Sequence, residues 1–277
     1  MDRTNTITDG FFEGIPSSAL AMDEEQFLID CADLSDMMSE TLVVIDFQKE
    51  KIMHVPQHFL FLYGYTPEKL KKEGYDFFHD ALHPDDLPLW KDMYVIILKS
   101  LYNNELKAKD IRFLGCTLRI KSFLSEEGEE PEYLMTCLRI KPKFHHDIPV
   151  WGICLFSVAV APKPGNLRVY YKNHDYETYS FKSRKWTFHP SAPLSIRDKQ
   201  ILVWSQQGLS NQQIADKLRL TVKSVEKAKT SLFEELGIVE EQNLTSFSKK
   251  FQYAINHCLI YQSPAMESKK GTEKHKK

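Results

Sequence analysis

LSIRDKQILVWSQQGLSNQQIADKLRLTVKSVEKAKTSLFEELG, residues 194–237, carries the start and stop signals of three short helices. Ser195 can cap the first, and Asp198 three residues later completes a capping-box pattern. Gly208 suits the left-handed residue just past that helix's end. Ser210 then caps a second helix, with Gln213 at the reciprocal position. Only Arg219-Leu220 separates Leu218 from Thr221, which opens a third helix closed by Gly237. So tight a connection predicts a steep crossing of the second and third helices, which is the geometry that presents a helix to a DNA major groove.

Spacing sorts the third helix into two faces. Val225, Leu232, Phe233 and Leu236 recur at helical intervals and should meet Ile201, Leu202, Ile214 and Leu218 in a core. Lys223, Glu226, Lys227, Thr230 and Glu234 are left facing outward. Lysine can contact phosphates or guanine edges, glutamate accepts from cytosine, and threonine serves either role. Glu226, Lys227 and Thr230 are the candidates for base edges; Lys223, Ser224 and Lys229 are the candidates for the backbone. Without the motif around them, the same charges would read as a solvated helix face.

From Leu194 to about Leu259, about a quarter of the chain, the sequence resembles the LuxR-type (GerE-like) helix-turn-helix domain of bacterial transcription regulators. The matching pieces are L-S-x-R with Ile201-Leu202, Gly208-Leu209-Ser210-Asn211, Gln213-Ile214-Ala215, Leu218, Thr221, Ser224-Val225, Leu232 and Leu236-Gly237. The resemblance implies a dimer on inverted repeats of double-stranded DNA, with a last helix, about Asn243 to Leu259, at the dimer contact. Half-sites about one DNA turn apart would follow. Three positions depart from the pattern. Glu226 stands where lysine is frequent, Ala228 replaces a common histidine, and Glu235 a common lysine or arginine. Fewer bases beside a polyanion imply weaker phosphate affinity than in a typical member.

With 277 residues, 42% hydrophobic and 27% charged, the chain has room for two ordinary globular domains. The net charge of −2 hides a division along the chain. Lys163 to Trp186 is basic and lies next to the helix-turn-helix, while acid gathers at Asp23-Glu24-Glu25 and from Glu126 to Glu132. Five widely spaced cysteines form no C-x-x-C pair, which argues against a disulfide framework and a zinc site. No window has the apolar length of a membrane span, and the N-terminus lacks a signal-peptide pattern, so a cytoplasmic protein with no membrane partner is expected.

Upstream, Asp23 to Met38 reads as a helix, Leu42 to Phe47 as a β-branched strand and Lys51 to Val55 as a second strand. Small helices follow, then a long one from about Pro84 to Tyr102 with Trp90, Tyr94, Ile97 and Leu101 on one face. Ile111–Leu124, Tyr133–Lys141 and Val150–Val160 then read as extended. This order predicts a five-stranded antiparallel sheet with its helices on one face. Glu40 to Ala161 is similar to a PAS domain. The signals are Phe78 before His83-Pro84-Asp85-Asp86 and the segment Phe61-Leu62-Tyr63-Gly64-Tyr65-Thr66-Pro67-Glu68. That resemblance implies a sensory or dimerising domain.

Several tempting residues have plainer readings. His83-Pro84-Asp85-Asp86 reads as a helix start, where proline and acid are favoured. His54 with His58, and His145-His146, lack companions at ligand spacing. Asp46 follows a strand as a phosphoacceptor would, but the antiparallel pattern after it does not fit a receiver domain. The cysteine context of a photoactive flavin site is missing, no histidine on the long helix could ligate haem, and no cofactor is expected.

The fold expected is therefore α+β: a PAS-like five-stranded sheet with helices, followed by an all-α four-helix helix-turn-helix domain. The divisions are a helical extension (1–39), a PAS-like domain (40–162), a basic linker with a small hairpin (163–190), the LuxR-type domain (191–262) and a disordered tail (263–277). The function expected is a non-enzymatic, homodimeric transcription regulator, with a small-molecule effector in the PAS-like domain and RNA polymerase as a further contact. Two rivals stand beside it: a sigma-like factor, and a protein-interaction module with a degenerate helix-turn-helix.

Overall fold

In the computed structural model, the described residues are 24–56, 66–103, 105–121, 130–145, 148–160, 163–191, 194–236, 238 and 244–256. The chain divides into two units, Met1–Ser191 and Ala192–Lys277.

The first unit is built on β1 (Thr41–Asp46), β2 (Lys51–His54), β3 (Ile111–Lys121), β4 (Tyr133–His145), β5 (Ile148–Val158), β6 (Gly165–Tyr171), β7 (Tyr176–Ser180) and β8 (Lys185–His189). They form one antiparallel sheet in the order β2-β1-β5-β4-β3-β6-β7-β8. Every residue of β1 is buried, so its apolar run is continuous and does not alternate. One face of β1 packs under α1 (Glu24–Asp36), where Phe27 and Cys31 meet Leu42 and Val44, and Phe27 stacks on Trp151. The other face sends Val43 and Ile45 into the main core with Leu70, Phe78, Trp90 and Met93. These come from α2 (Pro67–Glu73), α3 (Phe77–Ala81) and α4 (Asp86–Tyr102). The expected gathering of helices on one face therefore holds for α2 to α4, while α1 covers the opposite face.

The sheet has eight strands where the sequence predicted five. β6 and β7, expected as a hairpin within a separate linker, and β8, which was not expected as a strand, continue the sheet from β3, with Leu114 opposite Val169 and Phe113 opposite Tyr170. Their residue types marked β6 and β7 as strands, but a strand's partner and register are set by distant residues. Burial explains the outcome: Leu167 and Val169 are 4% and 0% exposed, and Tyr179 and Trp186 pack against the same core. Trp186 Nε1 also donates to Ser100 Oγ on α4 at 3.0 Å, tying the last strand to the long helix.

The second unit contains α5 (Ile196–Gln206), α6 (Asn211–Leu218), α7 (Val222–Glu235) and α8 (Phe247–Asn256). Both predicted capping boxes are formed, Ser195 with Asp198 and Ser210 with Gln213. Thr221 caps α7 by accepting from Ser224 N at 3.1 Å, and Gly208 takes a positive φ of 84°. Ile201, Ile214, Ala215 and Val225, none above 1% exposed, bind α5, α6 and α7 together. Gly237, both ends of the expected last helix and the C-terminal tail lie outside the described residues.

Candidate nucleic-acid interface

The turn between α6 and α7 is made by Arg219 in the left-handed region (φ 54°), while Leu220 N reaches back to Ala215 O at 2.9 Å. A β-carbon in that region is strained by about 1 kcal/mol or more. The hydrogen bond and the burial of Ile214, Ala215 and Val225 on either side of the turn hold it. The connection is as tight as the sequence implied, and α7 is the second helix of the pair.

On α7, Lys223, Ser224, Glu226, Lys227, Thr230 and Glu234 are exposed, and Val225, Leu232 and Phe233 are buried. The predicted division of faces is the one observed. The side chains of Lys223 and Lys227 make no ion pair or hydrogen bond among the described residues, so both exposed ammonium groups keep full donor capacity. Thr230 Oγ1 donates to Glu226 O at 3.2 Å one turn back, leaving its oxygen as an acceptor. Ser224 is engaged at the helix start, where its hydroxyl lies 2.8 Å from Thr221 Oγ1.

Lys229 sits differently from its five companions. Its Nζ donates to Asn211 Oδ1 at 2.7 Å and lies 4.8 Å from the centre of the Phe247 ring. Asn211 Nδ2 also approaches Glu226 Oε1 at 3.4 Å. Burial pulls the Lys229 amine below the ordinary lysine range, partly offset by Glu226. Without DNA, then, the Lys229 amine joins α7 to the first residue of α6, unlike Lys223 and Lys227. Asn211, which the sequence reading never assigned this role, is the bridging residue. Its only advance signal was its place in the Gly208-Leu209-Ser210-Asn211 match.

The first unit holds a separate candidate site. A cavity of about 70 Å³ lies between α4 and the sheet, and Trp90, Tyr94, Ile97 and Leu101, the predicted stripe, all line it with Phe47 and Leu138. No charged side chain lines it among the described residues. Burial drives the Tyr94 phenol well above its usual range, so it stays protonated at any physiological pH. Gly152 keeps this region close-packed, because a β-carbon there would come 2.7 Å from the Phe47 ring.

The plain readings of other residues acquire partners. Asp46 accepts from Gln48 N at 2.9 Å and Lys49 N at 2.8 Å, so its carboxylate builds the β1–β2 turn. Asp86 is more than a helix start: fully buried, it accepts from Arg119 N at 2.7 Å and Arg119 Nε at 3.1 Å, pinning α4 to β3. His58 and His146, with the His145 side chain, lie outside the described residues. No group of three His, Cys, Asp or Glu among the described residues could hold a metal.

Residues 192–248 match the family described as bacterial regulatory proteins, luxR family. No curated protein matches the chain. Among solved structures, a domain of a light and redox sensing histidine kinase from Haloarcula marismortui aligns at 16% identity and TM-score 0.30, over 46% of this chain and 93% of that one. Vibrio cholerae VqmA, described as a dimer and a LuxR-type receptor, aligns at 11% identity and TM-score 0.28, over 86% and 91%. A phage VqmA in complex with DPO aligns at 9% identity and TM-score 0.31, over 88% and 95%. The family match coincides with the capped helices, the Arg219 turn and the exposed row of α7: residues 192–248 are a LuxR-type helix-turn-helix domain.

Proposed function

We propose that the chain is a sequence-specific DNA-binding transcription regulator with no catalytic step of its own. The observation that carries this is the exposed row Lys223, Glu226, Lys227 and Thr230 on the second helix of a LuxR-type pair. Two exposed ammoniums, one carboxylate and one hydroxyl acceptor make a mixed row suited to base edges more than to bulk charge attraction. Lys223 takes the backbone and Lys227 with Glu226 and Thr230 the bases. A salt titration tests it: Lys227→Ala lowers affinity and flattens the dependence of log K on log salt by about one unit. Unchanged affinity and slope would remove Lys227 from the contacts.

The first unit supplies the sensing or dimerising part. Its PAS-like motifs are joined by five adjacent antiparallel strands, β2-β1-β5-β4-β3, with α2 to α4 against one face. The apolar, uncharged cavity under α4 favours a small neutral effector. At about 70 Å³ it falls well below the 150 Å³ or so that admits benzene elsewhere, so a haem or flavin would require α4 to move outward. A homodimer on inverted repeats, contact with RNA polymerase and a cytoplasmic location complete the proposal. No helix among the described residues is long and apolar enough to cross a membrane.

A further inference from the structure

A notch of about 160 Å³ opens between the second half of α7 and the first turn of α8, bordered by Lys229, Thr230, Thr245, Ser246 and Lys250 over a floor of Phe233 and Phe247. The floor is an edge-to-face pair with ring centres 5.4 Å apart. Each helix lays a lysine across the other's ring: Lys229 Nζ is 4.8 Å from the Phe247 centre, and Lys250 Nζ is 5.8 Å from the Phe233 centre. Both lysines are half-buried, so packing holds their stems against the floor of the notch that both line. None of the described residues lining the notch is acidic. The acid that Lys229 feels, Glu226, stands one turn back on α7. Ser246 Oγ accepts from Lys249 N at 3.2 Å, which leaves its hydroxyl hydrogen available to donate outward, and Thr245 is exposed. Lys250 and the Thr245 and Ser246 hydroxyls border an opening that shares Thr230 with the reading row, and the Lys229 amine, held by Asn211, adds a second positive charge at its rim.

We infer that this notch is a seat for a DNA backbone phosphodiester, held by Lys250 and the Thr245 and Ser246 hydroxyls beside the groove that α7 enters. The inference rests on the DNA-binding reading above and extends it to α8, which that reading leaves without a DNA contact. A phosphate seat fixes register and adds affinity without reading sequence. Its signature differs from that of Lys227: the loss is uniform over DNA sequences.

The test is a salt titration of the full chain on mixed-sequence duplexes, with Lys250→Gln, Lys250→Arg and Lys249→Gln beside the wild type. Lys249 is the exposed neighbour outside the notch. Lys250→Gln is expected to bind several-fold more weakly on every duplex, with the log–log slope shallower by about one unit. Lys250→Arg, which keeps the charge, is expected to retain the wild-type slope. Lys249→Gln is expected to change the slope by less than Lys250→Gln. Melting curves confirm that each variant is folded. A wild-type chain that binds while Lys250→Gln keeps its slope and affinity overturns this inference alone. A folded wild type that binds no duplex overturns both it and the reading beneath it.

Discussion

Replacing Arg119 by methionine should destabilise the first unit through a single buried carboxylate. Asp86 has no exposed surface, and its oxygens are satisfied by Arg119 N, Nε and Nη2. Removing one partner of a buried ion pair costs about 3–5 kcal/mol, because the remaining charge stays buried without compensation. Two features reduce that figure here. The Arg119 side chain is 29% exposed, so water can reach part of the vacated space, and the backbone N–H still donates to Asp86. A loss of about 2–3 kcal/mol is therefore expected from Arg119→Met. The pair Asp86→Leu with Arg119→Met fills the site with apolar volume and should return within about 1 kcal/mol of wild type. Denaturant unfolding followed by tryptophan fluorescence in a Trp204→Phe background reports this unit, since Trp90, Trp151 and Trp186 all lie in it. A cost below about 0.5 kcal/mol for Arg119→Met, or a double variant as unstable as the sum of the singles, would refute the reasoning.

Three further outcomes are expected. Ser210→Ala removes the hydroxyl that accepts from Gln213 N and should cost about 1 kcal/mol, read as faster amide exchange in α6 with α1 unaffected. Burial is the main cause that lowers the pKa values of His54 and His189. The unfolded chain then binds more protons, so the first unit should lose stability as pH falls through about 6.5 and regain it above; a melting temperature flat from neutral to mildly acidic pH would contradict this. Xenon under pressure should shift the methyl resonances of Ile97 and Leu138 around the cavity and leave those of Ile214 in place, whereas unshifted Ile97 and Leu138 would mean the space is closed in solution.

What the sequence disclosed follows the range of the forces involved. Ser195, Ser210, Thr221 and Gly208 act within four residues of themselves, and each does what its local pattern foretold. The inward face of α7 was legible for the same reason, since a helix repeats its own geometry. The place of β6 to β8 was not, because Val169 finds its partner at Leu114 across most of a domain. Asp86 shows the mixed case: its position at the start of α4 was readable, but its bonds to Arg119 depend on β3 arriving beside it. Lys229 looked like its neighbours on α7 and was separated from them only by Asn211 and Phe247, on two other helices.

The most direct test of the central claim is selection of binding sites from a pool of random duplexes by the full chain, run in parallel with a Lys227→Ala, Thr230→Ala variant. A recurring inverted repeat is expected for the wild type, with half-sites about one DNA turn apart. In the variant the preference at those bases should be lost while weak, salt-sensitive binding persists. The same motif recovered with both proteins would contradict the claim that the exposed row of α7 reads DNA.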